Sequence, residues 1–234
     1  MTEALYLKDC YLKEFDANII SVKDGKYIIL NKTAFYPVSG GQPHDTGKII
    51  YNNIEYNVVF VGKFDSEISH EVDRIGLKEG DKVSCVINWE RRYRLMRMHT
   101  ATHILCSVLH KESGALITGN QLGEDKSRVD FGLENFDREK INSYIEKANM
   151  EFNKNKDVKI SFASKEEAEK LSKLASENNY EGLNELRIID IDGIDTQPCG
   201  GCHIKNTSEI KGLILDSLEN KGKGRKRVYF KLIN

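Results

Sequence analysis

Two histidines separated by three residues are the first feature of this chain that could do chemistry. His99 and His103 lie in the segment HTATH (99–103). In an α-helix, residues four apart project from one face about one turn from each other, so both imidazoles could bind one metal ion. The same spacing also occurs in helices whose histidines only face solvent or pack in a core. The pair alone therefore indicates a metal site without requiring one.

A second cluster near the C-terminus strengthens the metal interpretation. The segment CGGCH (199–203) carries Cys199 and His203 on a glycine-rich turn directly after a predicted strand. Thiolate and imidazole together suit zinc. Cys202 is an alternative sulfur ligand, since both cysteines cannot comfortably join His203 on one ion, and we favour Cys199. The sequence predicts one Zn²⁺ per chain, bound by His99, His103, Cys199 and His203.

Such a zinc ion could be structural or catalytic. Two histidines, a cysteine and a third histidine can close a tetrahedral site that only fastens a helix to a sheet. A site that joins a helix interior to a glycine-rich loop can also admit a substrate. A metallopeptidase is disfavoured, because HTATH (99–103) lacks the glutamate that follows the first histidine of HExxH. Hydrolysis of an activated ester demands less base catalysis and fits this site better.

The elements that must position these residues fall into two predicted domains. Residues 1–88 read as short runs of β-formers cut by turn residues, which is typical of a small β-barrel. Residues 89–234 open with a long helix and continue with alternating strands and helices, which predicts a two-layer α/β domain with a mostly antiparallel sheet. The fold class is therefore α+β, with a zinc-ligating helix at the start of the second domain.

Composition limits the location and the partners of the protein. The chain has 234 residues, a charged fraction of 30% and a formal net charge of −1. No apolar run is long enough to cross a bilayer, and the acidic and lysine-containing N-terminus does not resemble a secretory signal. We therefore expect a soluble, cytoplasmic protein with no membrane partner. Any nucleic-acid contact must come from a local patch, and the best candidate is KGKGRKR (221–227).

The motifs together resemble a known family. HTATHIL and CGGCHI are similar to the editing domain of alanyl-tRNA synthetase and to the free-standing AlaX proteins of medium size (AlaX-M type). TAFYPVSGGQPHDTG (33–47), RRYRLMRMHTATH and LITGNQLGEDKSRVDF extend the resemblance over nearly the whole chain. It implies a β-barrel before an editing domain and zinc held by His99, His103, Cys199 and His203. The family often has threonine where this chain has Cys202.

The glycine-rich segment is a candidate substrate-binding or tRNA-binding region. Gly40 and Gly41 could simply allow a turn, but the resemblance favours a backbone that approaches the tRNA acceptor end or the amino acid, with Gln42 and Asp45 nearby. Arg225 and Arg227, in the basic cluster, are candidates for phosphate contact, with a solvated hairpin as the plain alternative.

Two threonines are candidate active-site residues. Thr118, in the loop expected after the long helix, resembles in position a family threonine that recognises the hydroxyl of a misattached serine. Thr102, between the two histidines, could line the pocket or donate a hydrogen bond to its own helix backbone. Four arginines near the start of the helix could bind phosphates, with a solvated basic helix face as the usual explanation: Arg91, Arg92, Arg94 and Arg97.

These features predict a zinc-dependent aminoacyl-tRNA deacylase that edits in trans. The expected substrate is mischarged tRNA(Ala), chiefly seryl-tRNA(Ala) and also glycyl-tRNA(Ala). The alternative is a non-catalytic tRNA-binding module whose zinc is structural. No segment resembles the adenylate-forming core of a synthetase, so we do not expect the protein to charge tRNA. The sequence makes no prediction of the oligomeric state.

Overall fold

The computed structural model describes residues 2–65, 67–133, 137–171, 185–222 and 224–233. The chain divides into two compact units, Met1–Leu95 and Met96–Asn234. The last barrel strand ends at Ile87 and the long helix begins at Trp89. The functional boundary expected at Asn88 stays a prediction. Among the described residues, no helix combines the length and apolar character that a membrane span requires.

A closed antiparallel barrel forms the first unit, in the strand order β2-β3-β7-β6-β5-β8. A short parallel pair, β1 with β4, lies outside the barrel ladder. The strands of this unit are Glu3–Ala4 (β1), Glu14–Lys23 (β2), Tyr27–Leu30 (β3), Lys32–Thr33 (β4), Gly47–Tyr51 (β5), Ile54–Phe64 (β6), Glu67–Val72 (β7) and Lys82–Ile87 (β8). The barrel confirms the fold class predicted for this part of the chain.

Alternation of side chains explains why these segments form a barrel. Along β8, Val83, Cys85 and Ile87 are buried while the residues between them are not. In a strand successive side chains point to opposite faces, so one face fills the interior. A turn at Asp24 and Gly25 joins β2 to β3, with φ angles of 51° and 69°. Glycine tolerates this left-handed conformation, and the turn matches the twist of the two strands.

The long helix α1 spans Trp89–Ser113. One residue in its first turns departs from the expected solvated basic face. Arg92 is fully buried. Its Nε donates to both carboxylate oxygens of Asp45 at 3.0 Å, and its Nη1 donates to the Cys10 carbonyl at 2.8 Å. Burying a charge requires such paired acceptors, and only the folded barrel unit brings them together.

The second unit contains two antiparallel sheets, where a single sheet was expected. The four-stranded sheet has the order β14-β15-β10-β9, and the three-stranded sheet has the order β11-β12-β13. The strands are Ile117–Gln121 (β9), Ser127–Gly132 (β10), Val158–Ser164 (β11), Glu185–Ile191 (β12), Asp195–Pro198 (β13), Leu213–Asn220 (β14) and Arg225–Leu232 (β15). The helices are Arg138–Phe152 (α2) and Lys165–Leu171 (α3).

Two of these strands were not predicted, for one shared reason. The segment LITGNQ was expected to be a loop, yet β9 pairs with β10 as an edge strand. The turn CGGCH was expected directly after the LRIIDI strand, yet β13 pairs with β12 between them. Glycine, asparagine, aspartate and proline have weak intrinsic β preference. Hydrogen bonds from a neighbouring strand, and not local propensity, therefore define both segments.

The caps of two helices were predictable from local sequence. At the start of α3, the Ser164 hydroxyl accepts from the Glu167 amide at 3.3 Å, and the Glu167 carboxylate accepts from the Ser164 amide at 3.0 Å. This reciprocal pair is a capping box. At the start of α2, the Asp137 carboxylate accepts from the Lys140 amide at 2.7 Å. Both caps satisfy backbone donors that have no partner inside the helix.

Candidate metal centre

Helix α1 supplies the first two members of the candidate centre. His99 and His103 lie one turn apart on the same face, with ring centroids 5.1 Å apart. Both residues are buried, at 6% and 7% exposure. Their neighbours Met98 and Leu105 are fully buried, which keeps this stretch of the helix within the core of its unit. The helix thus holds two imidazoles side by side at a site shielded from water.

A buried arginine shapes the turn that carries the other two members. Arg187, on β12, donates from Nη1 to the carbonyls of Cys199 at 2.6 Å and Gly201 at 2.8 Å. The Cys199 amide donates in return to the Arg187 carbonyl at 3.0 Å. These bonds hold the glycine-rich turn against the sheet. Sequence reasoning missed Arg187, although an arginine among the apolar residues of the strand LRIIDI was a visible signal.

The four predicted ligands converge on one point. The side-chain ligand atoms of His99, His103, Cys199 and His203 all lie within 4.8 Å of one another. Cys199 Sγ lies 3.3 Å from His203 Nε2 and 3.7 Å from His99 Nε2. A tetrahedral zinc ion separates its nitrogen and sulfur ligands by roughly 3.3–3.6 Å. One thiolate and three imidazoles at these separations fit such an ion, so this cluster could hold a metal.

Hydrogen bonds on the outer side of two rings orient their inner nitrogens toward the cluster. His103 Nδ1 donates to Asp195 Oδ2 at 2.8 Å. His203 Nδ1 lies 3.1 Å from the Thr100 hydroxyl oxygen. Each bond occupies Nδ1 and leaves Nε2 for the centre, which is how metal-binding histidines are usually held. Sequence reasoning missed Asp195 and Thr100, because no spacing rule connects them to the histidines.

The protonation states of three members of the cluster, Cys199, His99 and His203, suit metal binding. Burial would raise the pKa of the Cys199 thiol, but the imidazoles of His99 and His203 outweigh it and hold that pKa well below the usual value. Burial lowers the pKa of both these histidines and so favours their neutral forms. A thiolate and neutral imidazoles are the forms that bind a metal.

His103 differs from the other two histidines. Burial lowers its pKa, but hydrogen bonds to the Asp195 carboxylate and to Cys199 reverse this effect and raise the pKa to about 10. An anionic partner on one ring nitrogen makes the other nitrogen a stronger donor to a metal. The pKa of His103 therefore depends on Asp195, which lies outside the cluster, as well as on Cys199 within it.

Cys202 and the two candidate threonines occupy other positions. Cys202 is fully buried and, within the described residues, is not part of the cluster of ligand atoms. The Thr102 hydroxyl donates to the Met98 carbonyl at 2.7 Å, which is the helix-backbone bond expected as one of its alternatives. Thr118 is exposed and lies on the edge strand β9. The catalytic roles of both threonines stay predictions.

The glycine-rich segment lies in the first unit and forms a tight turn. Gly40 and Gly41 are exposed and have φ angles of 55° and 82°, a conformation that favours glycine. The flanking amides of Ser39 and Gln42 donate to each other's carbonyls at 3.2 and 2.8 Å. Gln42 and Asp45 are fully buried, so they stand behind the exposed turn.

The basic hairpin places its two candidate arginines on the open face of the four-stranded sheet. Arg227 donates from Nε to Asp130 Oδ1 at 2.7 Å. This bond to Asp130 raises the pKa of Arg227 above its usual value. Arg225 is exposed and lies two residues earlier on the same strand, so its side chain leaves from the same face. Contact with tRNA stays a prediction for both.

Two family models match the chain. Residues 3–91 match the family described as tRNA synthetases class II (A). Residues 186–229 match the threonyl and alanyl tRNA synthetase second additional domain. The second match contains the CGGCH turn, β13 and nearly all of β12, and the first contains the barrel. The fold and the site together are those of an editing-type module related to the synthetases.

Relatives of similar length identify the family. The alanyl-tRNA editing protein AlaX-M of Methanosarcina mazei is 52% identical over all of this chain and 98% of its own length. The protein of the same name from Saccharolobus solfataricus is 44% identical over 98% of both chains. The alanine–tRNA ligase of Ignicoccus hospitalis is 36% identical over 98% of this chain and 26% of the ligase. The chain belongs to the AlaX-M family of alanyl-tRNA editing proteins.

Proposed function

We propose that this protein deacylates mischarged tRNA(Ala) in trans, with seryl-tRNA(Ala) as the main substrate and glycyl-tRNA(Ala) as a second one. The convergence of one cysteine and three histidines in a module shared with alanine–tRNA ligases is the observation that carries the proposal. The reaction is hydrolysis of the ester between the amino acid and the terminal ribose. This reaction is that of an aminoacyl-tRNA deacylase. We place the activity in the cytoplasm, where aminoacyl-tRNA is used.

One Zn²⁺ per chain, held by His99, His103, Cys199 and His203, is the proposed cofactor. Such an ion polarises an ester carbonyl or lowers the pKa of a water. The chain's own contribution is to hold the donors in place: Arg187 fixes the turn, and Thr100 and Asp195 orient His203 and His103. An aminoacyl ester is already activated, which fits a helix motif that lacks the glutamate of HExxH.

Discrimination between amino acids is assigned in this proposal to Thr118, with Thr102 as a second candidate. A site that pairs with the hydroxyl of serine leaves its own polar group unpaired when alanine binds, and such a mismatch can discriminate by about 10⁴-fold where the bound substrate shields that group from water. Thr118 is exposed and therefore accessible to a ligand. We expect Thr118→Val to slow release of serine more than release of glycine, in parallel assays on the two mischarged tRNAs.

The basic face of the four-stranded sheet is the proposed phosphate-binding surface. Arg128 and Arg227 both donate to Asp130, at 2.8 and 2.7 Å, so two guanidinium groups are held side by side. Lys126 Nζ lies 4.7 Å from the centre of the Tyr229 ring on the same sheet. Because the chain has a net charge of −1, this local patch and not the overall field would attract RNA.

The glycine-rich turn is the second proposed contact with the tRNA acceptor end. The exposed backbone of Gly40 and Gly41 permits close approach. Asp45 accepts from the Tyr36 amide at 2.6 Å and pairs with Arg92, so its carboxylate supports the turn from behind. We therefore assign direct contact to the two glycines and a supporting position to Gln42 and Asp45.

Release of serine from seryl-tRNA(Ala) by the purified protein tests the proposal. Seryl-tRNA(Ser) and alanyl-tRNA(Ala) are the specificity controls, and a parallel reaction contains a zinc chelator. We expect rapid release from seryl-tRNA(Ala) alone and its loss with the chelator. Absence of release by folded, zinc-loaded protein from every mischarged tRNA(Ala) would contradict the proposal.

A non-catalytic tRNA-binding module with a structural zinc is the second candidate. The observation that favours it is the number of protein ligands, since four such ligands can close a tetrahedral site. His103→Ala separates the two. In a purely structural site the variant unfolds and tRNA binding is lost with the fold. In a deacylase, a folded protein that still binds tRNA loses hydrolysis.

A further inference from the structure

The carboxylate of Asp195 is hydrogen-bonded to His103 on the side of the ring that faces away from the cluster. Asp195 is the first residue of β13, and its side chain is only 5% exposed. Its Oδ2 accepts from His103 Nδ1 at 2.8 Å. It contacts the metal cluster through this imidazole and is not a ligand itself, since the described cluster consists of three histidines and Cys199.

We propose that Asp195 is a positioning residue that sets the affinity of the centre for its metal. The inference rests on the proposed metal site and deepens it. Asp195 fixes the ring of His103 so that Nε2 points into the cluster, and its negative charge makes that nitrogen a stronger donor. Carboxylates hydrogen-bonded to a metal-binding histidine typically change metal affinity by about 10–100-fold when they are removed.

A second side chain holds the carboxylate itself. Gln197, two residues further along β13, donates from Nε2 to the same Asp195 oxygen at 2.7 Å and lies 2.9 Å from His103 Nδ1. Residues two apart on a strand point to one face, so β13 presents both side chains to α1. Strand β13 therefore places Asp195 and Gln197 together against the ring of His103. This arrangement depends on pairing with β12, because the aspartate and the proline of β13 have a weak intrinsic β preference.

Strand β13 leads directly into the glycine-rich turn that carries Cys199 and His203. Cys199 follows Gln197 by two residues, and its amide is bonded to Arg187 on β12. His103 and Cys199 are thus connected through one short strand and not only through the metal. Hydrogen bonds from neighbouring residues hold both donors beside the cluster.

Metal affinity, measured by competition with a chromophoric chelator on the full-length protein, tests the proposal. We expect Asp195→Ala to weaken zinc binding by about 10–100-fold. Asp195→Asn, which keeps the size and an acceptor but not the charge, is expected to weaken binding by a smaller factor. Asp192→Asn is the matched control, because Asp192 lies in the same hairpin but is exposed and pairs with Lys156 at 3.6 Å.

A spectroscopic readout separates positioning from a general loss of structure. Co²⁺ bound to cysteine and histidine gives visible bands that report the geometry of the ligands. We expect Asp195→Ala to change the band shape while circular dichroism shows a folded chain. If Asp195→Ala does not fold, Asp195→Asn provides the same measurements. Wild-type affinity and an unchanged Co²⁺ spectrum in the folded variants would overturn the proposal.

These outcomes are independent of the deacylase proposal. If the wild-type protein binds zinc but hydrolyses no mischarged tRNA, the proposed function fails, and the affinity series still decides the role of Asp195. If hydrolysis is observed and Asp195→Ala binds zinc as tightly as the wild type, only the positioning role fails.

Discussion

Two buried histidines, one in the barrel and one in the metal centre, differ in what surrounds them. In the barrel, His70 is completely buried between neutral partners, the Thr33 hydroxyl at 2.8 Å and the Ile28 carbonyl at 2.9 Å. Burial lowers the pKa of His70 to about 4. In the centre, the partner of His103 is a carboxylate, and the pKa rises to about 10. Both histidines are buried, so the charge of the hydrogen-bond partner decides whether the pKa of the imidazole is lowered or raised.

The protonation state of a buried histidine in this chain therefore depends on the groups that it contacts. His70 is a satisfied, neutral core residue of the barrel, and its hydrogen bonds contribute to stability. His103 faces a thiolate and a carboxylate, which is an environment for a cation or a metal.

Removal of the sulfur ligand is expected to have the largest effect. Cys199→Ala removes the only thiolate of the cluster, and we predict at least a thousandfold loss of deacylation with loss of bound zinc. Loss of several kcal/mol of transition-state stabilisation gives this factor, since about 1.36 kcal/mol corresponds to tenfold. Assays of serine release and metal content check it.

Cys202→Thr is the matched control for this prediction. Cys202 is fully buried, three residues along the chain from Cys199, and is not part of the cluster of ligand atoms among the described residues. We expect near wild-type zinc content and activity from this variant. A loss of zinc equal to that of Cys199→Ala would mean that the ligand assignment is wrong.

The buried ion pair of the barrel unit is expected to have the next largest effect. Arg92→Met leaves the Asp45 carboxylate buried without its guanidinium, and breaking such a pair costs about 3–5 kcal/mol. Chemical denaturation measures this loss in the free energy of unfolding. Arg94→Met, at a half-buried position of the same helix, is the control and should cost far less. Equal losses in both variants would show that the pair has no special role.

The pH dependence of stability tests His70. Its folded pKa of about 4 lies below the reference value of 6.5, so its contribution is complete above pH 6.5 and declines as the pH falls toward 4. At pH 4 this group alone removes about 3 kcal/mol. Urea unfolding at several pH values should show a steeper loss for the wild type than for His70→Gln. Identical slopes would mean that His70 is not a buried neutral histidine.

The smallest effect is expected on the open sheet face. Arg225→Gln and Arg227→Gln each remove one proposed phosphate contact, so tRNA binding should weaken several-fold and the slope of log affinity against log salt should fall by about 1. Lys48→Gln, on the barrel, is the control and should leave the slope unchanged. Unchanged slopes in both arginine variants would exclude this face as the tRNA-binding surface.

Much of the fold could be predicted because it depends on local signals. Short runs of β-formers between turn residues predicted the barrel, and a stretch of over twenty residues without proline or glycine predicted the long helix. The spacing within HTATH and CGGCH also predicted the four residues that the structure brings within 4.8 Å. Strands β9 and β13 were missed because their pairing partners define them. Arg92 was assigned to a solvated face because its acceptors, including the Asp45 carboxylate, lie far away in sequence.

Local sequence patterns established the types of donor and the elements that carry them, because helix and strand periods are local properties. Which nitrogen of His103 and of His203 faces the centre depends on the tertiary structure, since Asp195 and Thr100 are distant in sequence from the histidines that they contact. The tertiary structure also decided that Arg187 secures the turn and that Asp45 supports the glycine-rich segment. The physical reason is that a buried polar group needs a hydrogen-bond partner, and the fold determines which groups lie close enough to serve as one.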